Sequence, residues 1–103
     1  MQEDLHIANL TVEETVRYAA WTRIPDSMSP EDREKRVQFL LEMLGIQHVK
    51  KSVVGNAMLK GISGGQKKRL SVAVEIVNLP NYLFLDGISA LFIFIFIFIL
   101  FIN

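Results

Sequence analysis

Residues 60–85 read KGISGGQKKRLSVAVEIVNLPNYLFL, a stretch that predicts a tight glycine-containing turn, a helix, a break at proline and a short buried strand. Ser63 is suited to cap a helix that begins at Gly64, because a serine hydroxyl accepts a hydrogen bond from an amide of the first turn. We expect the helix to end at about residue 78, because Pro80 disrupts helical hydrogen bonding. The apolar positions that recur at helical spacing are Val72, Ala73, Ile76 and Val77.

The start of this predicted helix has the chemistry of an anion site. Gly64 and Gly65 carry no side chain that would block a ligand, so amides of the first turn are exposed. Positive charge follows at Lys67, Lys68 and Arg69, and a helix N-terminus itself favours negative charge. The pattern is compatible with phosphate binding, and it is also typical of a plain capped turn that binds no ligand.

The predicted strand covers residues 82–86 and ends in a carboxylate. Tyr82 to Leu85 are apolar, and Asp86 follows them directly. A strand of this kind can place its aspartate at the C-terminal edge of a sheet, where a hydrated magnesium ion would lie. Asp86 is therefore a candidate metal-binding residue.

A helix is also predicted near the N-terminus, over residues 12–22. Thr11 and Glu14 form a T-x-x-E capping box, in which the threonine hydroxyl accepts an amide hydrogen bond and the glutamate reaches back to the cap. Its apolar stripe consists of Val12, Val16, Ala19 and Ala20.

The next predicted helix covers residues 30–44. Ser29 caps it, and Pro30 takes the first helical position, where the missing N–H costs nothing. Gly45 offers the left-handed conformation that ends many helices. The apolar stripe consists of Val37, Leu40, Leu41 and Leu44. The mixed charges of residues 31–36 predict a solvated face, not an interaction patch.

Length and composition limit the classes of protein. With 103 residues the chain is one small domain at most. Eleven basic residues balance eleven acidic ones, so no general positive field favours nucleic acid. The absence of cysteine excludes disulfides and thiolate metal sites. The N-terminal residues lack the basic and apolar regions of a secretory signal.

The segments of this chain resemble those of the nucleotide-binding domain of ABC transporters, both in their residues and in the order in which they occur. Within that family the resemblance is to the G subfamily of pleiotropic-drug-resistance and white-type transporters. Gln2, within MQEDLHIANLTVEETVRYAA at residues 1–20, is similar to the Q-loop and its following helix. ISGGQKKRLSVAVEIV at residues 62–77 is similar to the signature motif and its helix, and YLFLD at residues 82–86 to Walker B. The resemblance covers residues 1–86, from Q-loop to Walker B.

This resemblance implies a role for each matched position. The residues that it assigns to nucleotide binding are Ser63, Gly64, Gly65 and Gln66. They would contact the γ-phosphate of ATP held by an opposing domain, because two domains meet head to tail in this family. Gln2 would help to position magnesium and water, and Asp86 would hold magnesium through its water shell. No residue is assigned as catalytic, and His6 and His48 are expected to be ordinary surface residues.

The implied fold is a mainly α fragment of an α/β P-loop NTPase, with a helical subdomain, the signature helix and one core strand. The implied cofactors are ATP and Mg²⁺. The implied partners are a second nucleotide-binding domain and the transmembrane domain of a transporter, with no nucleic acid. The resemblance places the intact transporter's domain on the cytoplasmic face of a membrane.

The chain departs from the family pattern in three places. No G-x-x-x-x-G-K-[ST] phosphate loop occurs, so ATP binding in cis is expected to fail. Gly87 follows Asp86 where the family has a glutamate that polarises the attacking water, so the chain alone is expected to be inactive. Residues 87–103 form an apolar low-complexity tail outside the family pattern. The uncharged run at residues 90–102 is shorter than the about 20 residues of a spanning helix, and its alternating Ile and Phe are typical of aggregation-prone strands.

Two functions from different classes remain open. The first is part of the ATP-hydrolysing motor of a transmembrane exporter. The alternative is a non-catalytic interaction module, or a gene remnant without ATPase activity.

Overall fold

The computed structural model describes residues 8–79. Within this range the chain forms three α-helices, α1 (Val12–Arg23), α2 (Pro30–Met43) and α3 (Gly64–Ile76), with a short 3₁₀ turn at Gln47–Val49. The α1 helix lies against both α2 and α3. The mainly helical prediction is confirmed for these residues, whereas the predicted strand over residues 82–86 lies outside them. No helix within residues 8–79 is long and apolar enough to span a membrane.

The predicted caps of α1 and α2 are both present. Thr11 Oγ1 accepts from the Glu14 amide at 3.1 Å, and the Thr11 amide donates to Glu14 Oε1 at 2.9 Å. The hydrogen bond from the Thr11 amide is the main reason why the pKa of the Glu14 carboxyl is lowered. Ser29 Oγ accepts from the Asp32 amide at 3.1 Å, with Pro30 at the first helical position. Local chemistry therefore determines where both helices begin.

Gly45 ends α2 as predicted. Its φ of +72° is in the left-handed region, which a residue without Cβ adopts at no steric cost. The Gly45 amide donates to Glu42 O at 3.1 Å, and the Ile46 amide donates to Leu41 O at 2.9 Å. Carbonyls at the end of the helix are satisfied in this way, and the chain turns into the 3₁₀ segment.

One hydrophobic core joins the three helices, and it contains all three predicted apolar stripes. Leu40, Leu41 and Val37 of α2 are fully buried. The buried apolar residues that the stripes do not include are Ala8, Ile24, Ile46, Val54, Ile62 and Leu70. The core therefore extends into the segment that connects α2 to α3, which has no helical periodicity.

The prediction of a solvated face over residues 31–36 is wrong for two of its residues. Arg33 and Arg36 are only 3% and 8% exposed. The Arg33 guanidinium donates to carbonyls in the loop after α1 and lies over the Trp21 ring, 4.7 Å from its centroid. Satisfied hydrogen bonds explain how a guanidinium can be buried, because an unpaired buried charge is strongly destabilising.

A polar network on the other side of α2 ties this helix to α1. Arg17 Nε and Nη2 donate to the two carboxylate oxygens of Glu34 at 2.8 and 2.9 Å. Gln38 Nε2 donates to Glu34 Oε2 at 2.9 Å and to Glu13 Oε2 at 3.1 Å. The Arg17 hydrogen bond is the main reason why the pKa of Glu34 falls from its ordinary 4.5 to about 2.

Replacement of Glu34 by glutamine should change the acid sensitivity of the fold. Because the folded-state pKa of Glu34 is lowered, its ion pair contributes stability above about pH 4.5 and loses it as the pH falls toward about 2. Both partners are partly exposed, so the contribution is below about 1 kcal/mol. Urea unfolding of the parent and of Glu34→Gln across this pH range measures the difference.

The stability of Glu34→Gln should approach that of the parent as the pH falls toward about 2. Glu31→Gln, a change of an exposed carboxylate on the same helix, is the control and should retain the parental pH dependence. If the unfolding free energies of Glu34→Gln and the parent differed by the same amount at every pH, the ion pair of Glu34 would not be a source of the acid sensitivity.

Removal of a core side chain should destabilise the chain severely. Leu40→Ala leaves a cavity at a fully buried position, at a cost of about 2–5 kcal/mol. The matched control is Leu59→Ala, because Leu59 is 39% exposed and its truncation removes much less buried area. Circular dichroism during thermal unfolding compares the two variants. Equal losses would show that α2 is not at the centre of the core.

Candidate functional site

The segment that leads to α3 is fixed by backbone pairing with the residues before and at the start of α1. The Val54 amide donates to Leu10 O at 2.9 Å, and the Gly55 amide donates to Ala8 O at 3.0 Å. An isolated antiparallel bridge joins Thr11 and Val53. These bonds place the approach to α3 beside the N-terminus of α1.

A tight loop over residues 55–61 then brings the chain to α3. Asn56 Oδ1 accepts from the amides of Met58 and Leu59, each at 2.8 Å. Gly55 has a φ of +78°, and a Cβ there would lie 2.6 Å from Leu59 O. The loop closes only with glycine at this position, so it has a defined shape. Ile62, 7% exposed, packs into the core directly before α3 begins.

Ser63 caps α3, as predicted, and Gln66 completes a capping box that the sequence analysis overlooked. Ser63 Oγ accepts from the Gln66 amide at 3.2 Å, and Gln66 Oε1 accepts from the Ser63 amide at 2.9 Å. The signal was present, because Ser63 and Gln66 have the same spacing as Thr11 and Glu14. The predicted ligand residue Gln66 therefore also shapes the helix start.

Gly64 and Gly65 are open to solvent at the first turn of α3. A Cβ at either position would meet nothing within 4 Å, and neither residue has positive φ. Among residues 8–79 neither of their amides has a hydrogen-bond acceptor. In α1, by contrast, the amides of Val12 and Glu13 donate to Ser52 O and Lys50 O, each at 2.9 Å. The fold satisfies the first amides of α1 and leaves those of α3 available.

The charge around the start of α3 also differs from that of the other two helices. The first turns of α1 and α2 contain two carboxylates each, and the first turn of α3 contains none. Lys67, Lys68 and Arg69 follow directly. The partial positive charge of the helix N-terminus is therefore not neutralised locally, which favours an anion.

His48 lies beside this helix start. Its Nε2 atom is 3.5 Å from Gln66 Nε2, and the side chain is exposed. The expectation of a surface position agrees with the structure, but the contact with Gln66 was not foreseen. Sequence alone gave no signal for it, since the two residues lie 18 positions apart.

The candidate site residues Gln2 and Asp86, and His6, lie outside residues 8–79. The roles of Gln2 and Asp86 in binding magnesium therefore stay predictions. Within residues 8–79 no group of three or more histidine, aspartate or glutamate side chains is arranged to hold a metal ion.

The far end of α3 is bound by arginines from the other two helices. Arg36 Nη1 donates to Val77 O at 3.0 Å and to Leu79 O at 2.8 Å. Arg23 Nη1 donates to Val74 O at 3.1 Å. This role of Arg36 was not predicted from the sequence, although Arg36 lies four residues before the core position Leu40 and so on the same helical face.

Comparison with known proteins identifies the family. The sequence profile described as ABC transporter matches residues 1–90. The chain belongs to the ABC transporter family. The correspondence of Ser63 to Gln66 with the family's signature motif, and of Gln2 with its Q-loop, stays a prediction.

The relatives in Arabidopsis thaliana are ABC transporters of the G family. The chain is 42% identical over 85 residues to ABC transporter G family member 26 and 46% identical over 85 residues to member 7, each match covering 82% of the chain and 12% of the relative. It is 44% identical over 86 residues to member 17, covering 84% of the chain and 13% of the relative. The chain is thus a nucleotide-binding fragment of the G subfamily and spans about an eighth of these relatives.

Substitutions at the start of α3 should distinguish the residue that caps the helix from the glycine that the fold does not require. Ser63→Ala removes the cap acceptor and should cost about 1 kcal/mol of unfolding free energy. Gly64→Ala should leave stability unchanged or raise it by up to about 1 kcal/mol, because a Cβ there meets nothing and alanine favours the helix. Urea unfolding followed by circular dichroism measures both. A destabilising Gly64→Ala would mean that the fold itself requires this glycine.

Proposed function

We propose that this chain is the signature-bearing part of the nucleotide-binding domain of an ATP-driven exporter. The start of α3 would bind the γ-phosphate of ATP held by a second nucleotide-binding domain in a head-to-tail pair. The residues proposed to bind it are Ser63, Gly64, Gly65 and Gln66. Hydrolysis of that ATP would drive transport through the membrane domain of the intact protein, with this domain on the cytoplasmic face.

The observation that carries the proposal is the availability of the Gly64 and Gly65 amides. Glycine is not required at either position by backbone conformation or by a neighbouring atom. Two flexible residues at a helix start lower its stability, so the fold alone does not account for them. Approach of a bulky anion accounts for both, because a phosphate group must come close to the backbone to accept from these amides.

The residues present fit a phosphate group. Two amides, a helix N-terminus without carboxylates and three following cations all favour an anion. The Ser63 hydroxyl accepts from Gln66 and retains its own proton to donate to a phosphate oxygen. Hydrogen bonds from fixed donors would stabilise charge that develops on the transferred phosphoryl group.

The proposed roles of this chain outside the start of α3 concern magnesium at its own Walker B segment. Gln2 would help to position magnesium and water, and Asp86 would hold magnesium through its water shell. Magnesium would supply charge neutralisation at the β- and γ-phosphates. The phosphate loop would belong to the partner domain, so the site would be shared between two chains or domains.

A non-catalytic function is the alternative, and Gly87 is the observation that favours it. The family pattern has a water-polarising glutamate at this position, directly after Asp86. Such a chain would lend its signature motif to a partner without supporting hydrolysis at its own Walker B segment. Both functions require the start of α3 to bind phosphate in trans.

The decisive experiment measures association in trans. The 103-residue chain is titrated into a hydrolysis-deficient nucleotide-binding domain of a G-family ABC transporter, with and without ATP and Mg²⁺, by isothermal titration calorimetry. Association should require ATP. Gly64→Asp should weaken it at least about tenfold, because a carboxylate beside the phosphate is repelled and occupies its space. The same substitution places a negative charge at a helix N-terminus, so the fold itself should not be weakened.

Ser71→Asp is the matched control, with the same change of charge at an exposed position about two turns further along α3. It should associate as the parent does. Association without ATP, or equal binding of the Gly64→Asp chain, would refute phosphate binding by this helix.

A further inference from the structure

The C-terminal end of α3 is bound by arginines that come from both other helices. Arg36 of α2 is 8% exposed, and its Nη1 donates to Val77 O and Leu79 O. Arg23 of α1 donates to Val74 O and lies 3.9 Å from Glu75. Carbonyls at the end of α3 thus accept hydrogen bonds from arginines, whereas the amides of Gly64 and Gly65 at its start have no acceptor among residues 8–79.

The chemistry of this contact is that of a cation at a helix C-terminus. The last carbonyls of a helix have no partner within the helix and carry partial negative charge. Of the two carbonyls that Arg36 binds, that of Val77 belongs to the C-cap residue of α3, and that of Leu79 lies three residues beyond the last helical residue. Hydrogen bonds from a guanidinium are shorter and stronger than those between neutral groups. Burial lowers the pKa of Arg36, and the group nevertheless keeps its proton because free arginine titrates far above neutral pH.

The position of Arg36 makes it a link between distant parts of the chain. Its carbonyl partners lie 41 and 43 residues further along, at the exit of α3. Leu79 is three residues before Tyr82, where the segment similar to Walker B begins. One side chain of α2 thus holds the end of the signature helix and the chain that leaves it.

Because α3 is long, a small tilt at its C-terminus, where Arg36 binds, moves the N-terminus that is proposed to bind phosphate. Thirteen residues span about 20 Å, so a tilt of about 10° at the C-terminus displaces the N-terminal amides by roughly 3 Å. A displacement of that size exceeds the range over which a hydrogen bond to phosphate persists. The capping box at Ser63 holds the first turn together, but it does not orient the helix as a whole.

We infer that Arg36 is a positioning residue, which sets the orientation of α3 against α2 and so aims the amides of Gly64 and Gly65 at the phosphate of the partner domain. Its effect on phosphate binding rests on the proposed function, whereas its effect on the orientation of α3 does not. Arg23 contributes less, because its side chain is 43% exposed and water can replace its hydrogen bond.

The orientation can be measured in the full chain by pulsed EPR, because the sequence contains no native cysteine. Spin labels at Glu31→Cys and Ser71→Cys, both exposed, report the distance between α2 and α3. Labels at Tyr18→Cys and Glu31→Cys report the distance between α1 and α2 as an internal reference. Arg36→Met removes the donor and retains an apolar stem of similar length.

The expected result is selective. Arg36→Met should broaden or shift the α2–α3 distance distribution and leave the α1–α2 distribution as in the parent. Lys35→Met, the loss of a neighbouring exposed cation, should change neither. Unchanged α2–α3 distances in Arg36→Met, or equal broadening of both pairs, would overturn the inference, since the second result indicates general loss of packing.

Arg36→Lys keeps the test decisive if the methionine variant does not fold. Lysine retains the charge but lacks the planar guanidinium that reaches two carbonyls in a fixed geometry. Its α2–α3 distribution should be broader than that of the parent, with parental helix content by circular dichroism. A parental distribution in a folded lysine variant, when the methionine variant is unfolded, would overturn the inference.

The trans-association titration then tests the link to phosphate. A folded Arg36→Met should bind the ATP-loaded partner domain about tenfold more weakly than the parent, the loss expected for a misplaced charge-assisted hydrogen bond. If the parent itself does not associate, the proposed function fails and the EPR result still decides the structural role. Parental affinity in a variant with altered α2–α3 distances would overturn the aiming role of Arg36.

Discussion

The backbone pairing between residues 8–13 and residues 50–55 is the interaction on which the rest of the structure depends. It joins the start of α1 to the approach of α3, and it satisfies main-chain groups that burial would otherwise leave unpaired. The amides of Val12 and Glu13 are used in it, so the N-terminus of α1 is closed to ligands. The connection also places Ile62 in the core, after which Ser63 emerges at the surface. The N-terminus of α3 therefore follows a segment whose position is fixed by backbone hydrogen bonds.

The two ends of α3 differ in their hydrogen bonding. At its start, Ser63 and Gln66 satisfy each other, and the amides of Gly64 and Gly65 stay available. At its end, carbonyls are bound by arginines from α1 and α2. A helix held firmly by its negative end and open at its positive end is well arranged to meet an anion carried by another molecule. This arrangement supports the proposal that the start of α3 binds a phosphate group held by another domain.

The parts of the fold that could be predicted are those set by local chemistry. The T-x-x-E box at Thr11, the serine before Pro30 and the left-handed Gly45 each act within a few residues, so the helix limits followed closely from the sequence. The buried Arg36 was assigned to a solvated face, because its charge outweighed its helical register with Leu40. Its partners lie more than 40 residues away, and nothing in a linear pattern specifies them. The backbone pairing was missed for a similar reason, since main-chain groups leave no residue-type signal.

Of the candidate site, the cap at Ser63 could be predicted from the sequence, because a serine directly before a helical stretch acts locally. What the sequence could not separate was a phosphate site from a plain turn. Hydrogen–deuterium exchange of residues 62–66 in the full chain separates them most directly. If the start of α3 binds phosphate in trans, the amides of Gly64 and Gly65 exchange rapidly in the free chain and are protected only when the partner domain and ATP are both present. Protection in the free chain, or none in the ternary mixture, would contradict it.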